Sequence, residues 1–190
     1  MRAAVALERD GSADVILEIL ERLWETKRQS IALVEAWRAM TTDAEIRAGL
    51  ATHLVDERRH FRILSDEIKR RGGRPRPLEY LLRRPFALAL AQPKDVYRLS
   101  IFYRGIKAFT FQRCGHLIPV VDRPLACSLE QIAREEERHI RWAEIRLARL
   151  HDAQEKRRCS ALVDQVESAL DTVWSKPWRR LTAIGLRRAS

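Results

Sequence analysis

Two short runs hold the residues best placed for chemistry: DERRH at 56–60 and EEERH at 135–139. In each, a glutamate precedes a histidine by three, Glu57 with His60 and Glu136 with His139, and the two glutamates lie 79 residues apart. At about 100° per residue, positions i and i+3 share one helix face, so each pair can hold a metal ion jointly. Mixed imidazole and carboxylate ligands suit iron, manganese or zinc.

The elements that must carry these pairs read as long helices. Ser12 or Asp14 can cap a first helix, whose apolar stripe runs Ile16, Leu20, Leu23, Ile31, Val34 and Trp37. Thr41-Thr42-Asp43 interrupts it and offers a new cap. A second helix then runs to about Arg71, with Ile46, Leu50, Leu54, Phe61, Leu64 and Ile68 on one face, and Gly72-Gly73 ends it. Residues 73–93 form a long connection with a short helix over LEYLLRRPFALAL. A third long helix covers about 94–117, and a fourth starts at Asp122-Pro124 and runs to about His151. A fifth covers about 153–175, followed by a basic amphipathic tail that caps the bundle.

Glu57 falls in the middle of the apolar stripe of the second helix. Glu136 falls likewise among Leu125, Leu129, Ala133, Ile140, Ala143 and Leu147. Both carboxylates therefore point into the core, where a bare charge is costly and asks for a cation. A weak internal repeat supports the pairing, since Asp43 and Asp122 each stand 14 residues before their motif glutamate. Two helix pairs joined by a long crossover make a four-helix bundle. The fold class expected is all-α, with residues 1–152 as the bundle and 153–190 as a C-terminal helix and basic tail packed on the same domain.

Composition agrees. The chain has 190 residues, 46% hydrophobic and 33% charged, with only 7 Gly and 7 Pro, as a helix-rich globular domain would. No run of 18 apolar residues offers a transmembrane helix, and the early charges of residues 1–14 argue against a signal peptide. Cys114, Cys127 and Cys159 are odd in number and widely spaced, which fits free thiols in a cytoplasmic protein. The formal net charge of +10 is concentrated in 69–84 and 176–188. It suits nucleic acid or an anionic surface as a partner, although no nucleic-acid motif accompanies it and simple solubility accounts for it.

With both motifs on core-facing helices, the chain resembles the ferritin-like superfamily, which includes rubrerythrins and carboxylate-bridged di-iron proteins. The resemblance rests on HLVDERRHFRILSDEIKRRGGRP and IAREEERHIRWAEIRL and covers roughly residues 12–150. It implies an up-down four-helix bundle with a long crossover between its second and third helices. By resemblance, Glu57, His60, Glu136 and His139 are metal ligands, and one further carboxylate is due from each of the other two helices.

Those two carboxylates are not in place. Lys27 lies in the first helix's core stripe with Leu23 and Ser30, where a carboxylate is wanted. Glu25 has a suitable distance to Glu57 but lies about 160° around the helix from Lys27. Between Val96 and Val121 there is no Asp or Glu, and Arg104 stands at the position matching Glu25.

The residues leave two main readings. In the first, the two Glu-His pairs hold one or two Fe or Mn ions, or Zn, in a reduced site with oxygen- or peroxide-linked redox chemistry. Glu25 and His53 are its further candidate ligands. In the second, the scaffold is metal-free and binds a ligand, with Lys27 replacing the metal charge and Arg104 assisting. Tyr103 and Trp24 hold equivalent places in the two halves and are candidates to line the site. A third reading, an RNA- or lipid-directed hydroxylase, rests on the basic segments alone. A homodimer is expected from exposed Trp37, Trp174 and Trp178.

Overall fold

The computed structural model describes residues 12–189, and these are all-helical, with no strand among them. The helices are α1 (Ser12–Met40), α2 (Ala44–Arg70), α3 (Glu79–Leu90), α4 (95–117), α5 (Arg123–Leu147) and α6 (Ala153–Ala189). The expectation against a signal peptide falls mainly on residues 1–11, which lie outside the described residues. None of the described helices is long and apolar enough to cross a membrane.

Local chemistry sets the boundaries as expected. The Asp43 carboxylate accepts from the Ile46 N–H at 2.9 Å, and Asp122 accepts from the Leu125 N–H at 3.0 Å, so the two motif helices start on equivalent N-caps. At the end of α2, Gly72 takes φ +77°, a conformation that favours glycine. Its N–H donates to the Lys69 carbonyl and the Gly73 N–H to the Ile68 carbonyl, which satisfies the helix's last carbonyls.

The stripe Ile16, Leu20, Leu23, Lys27, Ser30 and Val34 is buried throughout, as is the Glu57 face of α2 and the Glu136 face of α5. α1 packs on α2, α5 packs on α2 and α4, and α6 lies along α1, α3 and α4. Glycine permits close approach at two places. Gly105 in α4 faces Val166 of α6, where a Cβ would stand 3.1 Å from Cγ1. Gly49 in α2 lies under Trp142 of α5, and a Cβ there would enter the indole ring. Gly49→Ala is expected to destabilise the protein by about 1–3 kcal/mol, read as a lower urea midpoint. A gain in stability, the ordinary result of Gly→Ala in a helix, would show that the two helices can separate freely.

Three expectations are corrected. α4 is not a regular α-helix: Asp95–Leu99 and Ala108–Leu117 are α-helical, and Ser100–Lys107 between them is a π-helix. The tail does not form a separate cap, because α6 continues through Pro177 as one helix. Trp37 and Trp174 are fully buried rather than exposed, and Trp37 donates its indole N–H to Asp95 at 2.6 Å. Trp178 is half-buried. The basis for expecting a homodimer is therefore gone.

Candidate functional site

Four helices each send one charged side chain to a common point. Glu57 of α2 and Glu136 of α5 face each other, as their positions in the apolar stripes require. Between them stand two lysines. Lys27 of α1 forms an ion pair with Glu136 Oε1, and its Nζ lies 3.4 Å from Glu57 Oε2. Lys107, the last residue of the π segment of α4, pairs with Glu57 Oε1 and reaches Glu136 Oε2 at 2.5 Å. All four side chains are at least 95% buried. Each carboxylate thus meets both ammonium groups, and the four formal charges cancel.

The electrostatics follow from this closure. Burial would lower the pKa of the Lys27 ammonium, but Glu136 and Glu57 override it and hold the value above that of an ordinary lysine. Burial would raise Glu136, but Lys107, Lys27 and hydrogen bonds from His139 and His60 hold it well below the carboxylate range. Glu57 Oε2 has no hydrogen bond, and its compensation is the Lys27 charge.

The histidines form an outer layer with approximate two-fold symmetry. The residue before each motif glutamate holds the other motif's histidine. Glu135 Oε2 lies 2.6 Å from His60 Nε2, and Asp56 Oδ2 lies 2.9 Å from His139 Nε2. Arg59 links the two carboxylates, reaching Glu135 at 2.7 Å and also pairing with Asp56. Burial would raise Asp56 and Glu135, but these histidine and arginine contacts keep both lowered. The inner nitrogens face the cluster, His60 Nδ1 at 3.2 Å and His139 Nδ1 at 3.6 Å from Glu136.

His53 and Tyr103 share a hydrogen bond of 2.6 Å, and the His53 ring lies against His139 at a centroid distance of 4.0 Å. Burial, then the His139 and Lys107 charges, pull His53 down to about 2, so it is a neutral imidazole. Burial and the Glu57 and Glu136 charges keep Tyr103 a phenol. His53 is thus a neighbour of the cluster, as is Tyr103, with Lys107 Nζ 5.8 Å from its ring centroid.

No family model, no curated protein and no solved structure matches the chain.

Other candidates lie elsewhere. Glu25 is fully buried but turns toward the crossover, where it accepts from Arg28, Gln29 and, at 3.1 Å, the Leu78 N–H. Arg104 is on the outside of α4, in a two-pronged pair with Glu144 at 2.5 and 2.6 Å. Trp24 donates to Ser65 at 2.8 Å and stacks on Phe61, so it joins α1 to α2 instead of lining the centre.

Among the described residues, Glu57, Glu136 and His139 bring three potential ligand atoms within 4.8 Å of one another. The donor set still does not fit a metal ion. Lys107 Nζ stands between the two glutamates and 3.4 Å from His139 Nδ1, and Lys27, held protonated, has no lone pair to offer. A positive ion added among two ammonium groups would meet like charge. A void of about 10 Å³ beside Lys27 and Glu136, lined by Leu23, Leu64, Leu129 and Ile132, has room for about one water and no substrate.

Lys107 is the functional residue that the periodicity argument misses. Lys27 and Lys107 are 80 residues apart, whereas the motif glutamates are 79 apart. The π segment accounts for the offset, because a π-bulge accommodates one extra residue and rotates the rest of the helix beyond it. A second buried-phase lysine near the matching position, one residue out of register, was the available signal.

Proposed function

We propose that this chain is a ferritin-like four-helix scaffold whose central site is neutralised by two lysines and works without metal, so that it serves as a binding protein and not as a redox enzyme. The observation that carries this reading is the placement of Lys27 and Lys107 between Glu57 and Glu136. The ferritin-like assignment is supported by the plan of the site. α2 and α5 supply the Glu-x-x-His pairs, and α1 and α4 each supply one more central side chain, here lysine where carboxylate is the rule. The closed packing around the cluster leaves the outer surface as the place for partners. Three free thiols, two of them buried, fit a cytoplasmic setting.

The test is metal content. The purified protein, reconstituted with Fe(II), Mn(II) or Zn(II) and desalted, is expected to retain well below one ion per chain by elemental mass spectrometry. A Lys27→Glu/Lys107→Glu variant restores two carboxylates and is expected to gain metal under the same treatment. Stoichiometric metal in the unaltered protein, lost in Glu57→Ala/Glu136→Ala, would overturn the proposal in favour of a working metal site.

A further inference from the structure

We propose that a groove between α4 and α6 binds single-stranded nucleic acid. The groove encloses about 520 Å³ and is lined by Arg113 of α4 and by Asp171, Ser175, Trp178, Arg179 and Thr182 of α6. That volume is in the range of pockets that accept a small-molecule-sized group such as one nucleotide.

Its chemistry is that of base stacking beside phosphate. The Arg113 guanidinium lies 4.8 Å from the Phe109 ring centroid and 5.4 Å from that of Trp178. Asp171, on the same groove, pairs with Arg113 at 3.1 Å. His116, exposed on α4, stands edge-on to Trp178 at 6.1 Å. An indole and a guanidinium thus meet at the groove, with an imidazole beside the indole, and the indole is the ring on which an unpaired base would stack.

The phosphate contacts come from α6. Lys176 and Arg179 are exposed, one turn apart, and make no ion pair among the described residues. Arg179 lines the groove together with the Ser175 hydroxyl, a neutral donor, while the Thr182 hydroxyl there donates to the Trp178 carbonyl at 3.0 Å. One carboxylate, Asp171, faces the groove and is already committed to Arg113. The chain's net charge of +10 draws a polyanion toward this surface at long range. Duplex is disfavoured, because its bases are not free to enter a groove built for stacking.

The experiment is fluorescence anisotropy of the full chain with a labelled 15-nucleotide oligo(dT), over a series of salt concentrations. Lys176→Glu/Arg179→Glu is expected to weaken binding about tenfold or more and to lower the salt slope by about 1.4, the share of two phosphate contacts. Trp178→Leu, checked for folding by circular dichroism, is expected to weaken it about tenfold with little change of slope. Arg134→Glu/Arg138→Glu, a charge reversal at two exposed arginines of α5 without ion pairs among the described residues, controls for general charge and is expected to change affinity less than threefold. The proposal is overturned by no binding at low salt, by equal loss in the α5 control, by equal affinity for duplex, or by binding only to anionic phospholipid vesicles. The result is independent of metal content, so it can fail while the metal-free reading stands.

Discussion

Lys107→Met is expected to lower the unfolding free energy by about 3–5 kcal/mol, the cost of breaking a buried ion pair from one side. Methionine matches the lysine stem in length and removes only the charge. The two carboxylates would then share Lys27 alone, in a core where both are almost wholly shielded from water. One of them must either remain an uncompensated buried anion or take up a proton. The second course predicts its own remedy: Lys107→Met/Glu57→Gln carries one charge of each sign and is expected to recover about half of the loss. Urea denaturation of the single and double variants measures both. Arg104→Met is the control, because its pair with Glu144 is more than 40% exposed and is worth about 0–1 kcal/mol. Equal losses for Lys107→Met and Arg104→Met would mean that the central cluster contributes no more than a surface pair.

Acid is expected to unfold the protein earlier than its helices alone would suggest. His53 is held neutral, down to about 2, against an ordinary value of 6.5. Below pH 6.5 the unfolded chain binds a proton that the folded one refuses, so stability falls by about 1.4 kcal/mol per pH unit as the pH drops through this window. Glu136 adds to the loss further down. Its carboxylate is held low in the fold, so its contribution is present above the ordinary value of 4.5 and disappears as pH falls through the folded value. Lys27 has the opposite sign. Its raised value keeps its contribution intact below 10.5 and loses it only as pH climbs through the folded value. The buried Cys114 thiol, pushed up to about 12, stays protonated above pH 9 where the unfolded thiol ionises, so stability is expected to be level from about pH 7 to 9, to decline above that and to fall steeply below 6.5. His53→Gln, which keeps a partner for Tyr103 but cannot take the proton, is expected to flatten the part between pH 6.5 and 5. A wild-type curve already flat there would show that His53 gains a proton in the folded state.

The two effects have one origin. The cluster's charges are balanced inside the protein rather than by solvent, so each member's protonation is tied to the others. The void beside Lys27 and Glu136 holds about one water, which gives that side of the cluster little room for relaxation after a substitution.

The helices, their caps at Asp43 and Asp122, the stop at Gly72-Gly73, and the inward aim of Glu57, Glu136 and Lys27 are legible in the residue order alone. All of these follow from short-range rules: capping, glycine's left-handed conformation, and a period of 3.6. The rest came from how the helices pack on one another. Lys107 replaced Arg104 at the centre because the π segment turns α4 by one residue, and its hydrogen-bond pattern leaves no mark in apolar periodicity. Glu25 turned to the Leu78 N–H because the crossover passes over that side of α1. Trp37 and Trp174 went inside because α1 and α6 are covered on more than one face. A helix's own sequence records the face it buries in its first partner. It does not record how many further partners will cover the remaining faces, and here that number set both the burial of the tryptophans and the closure of the lysine–glutamate cluster.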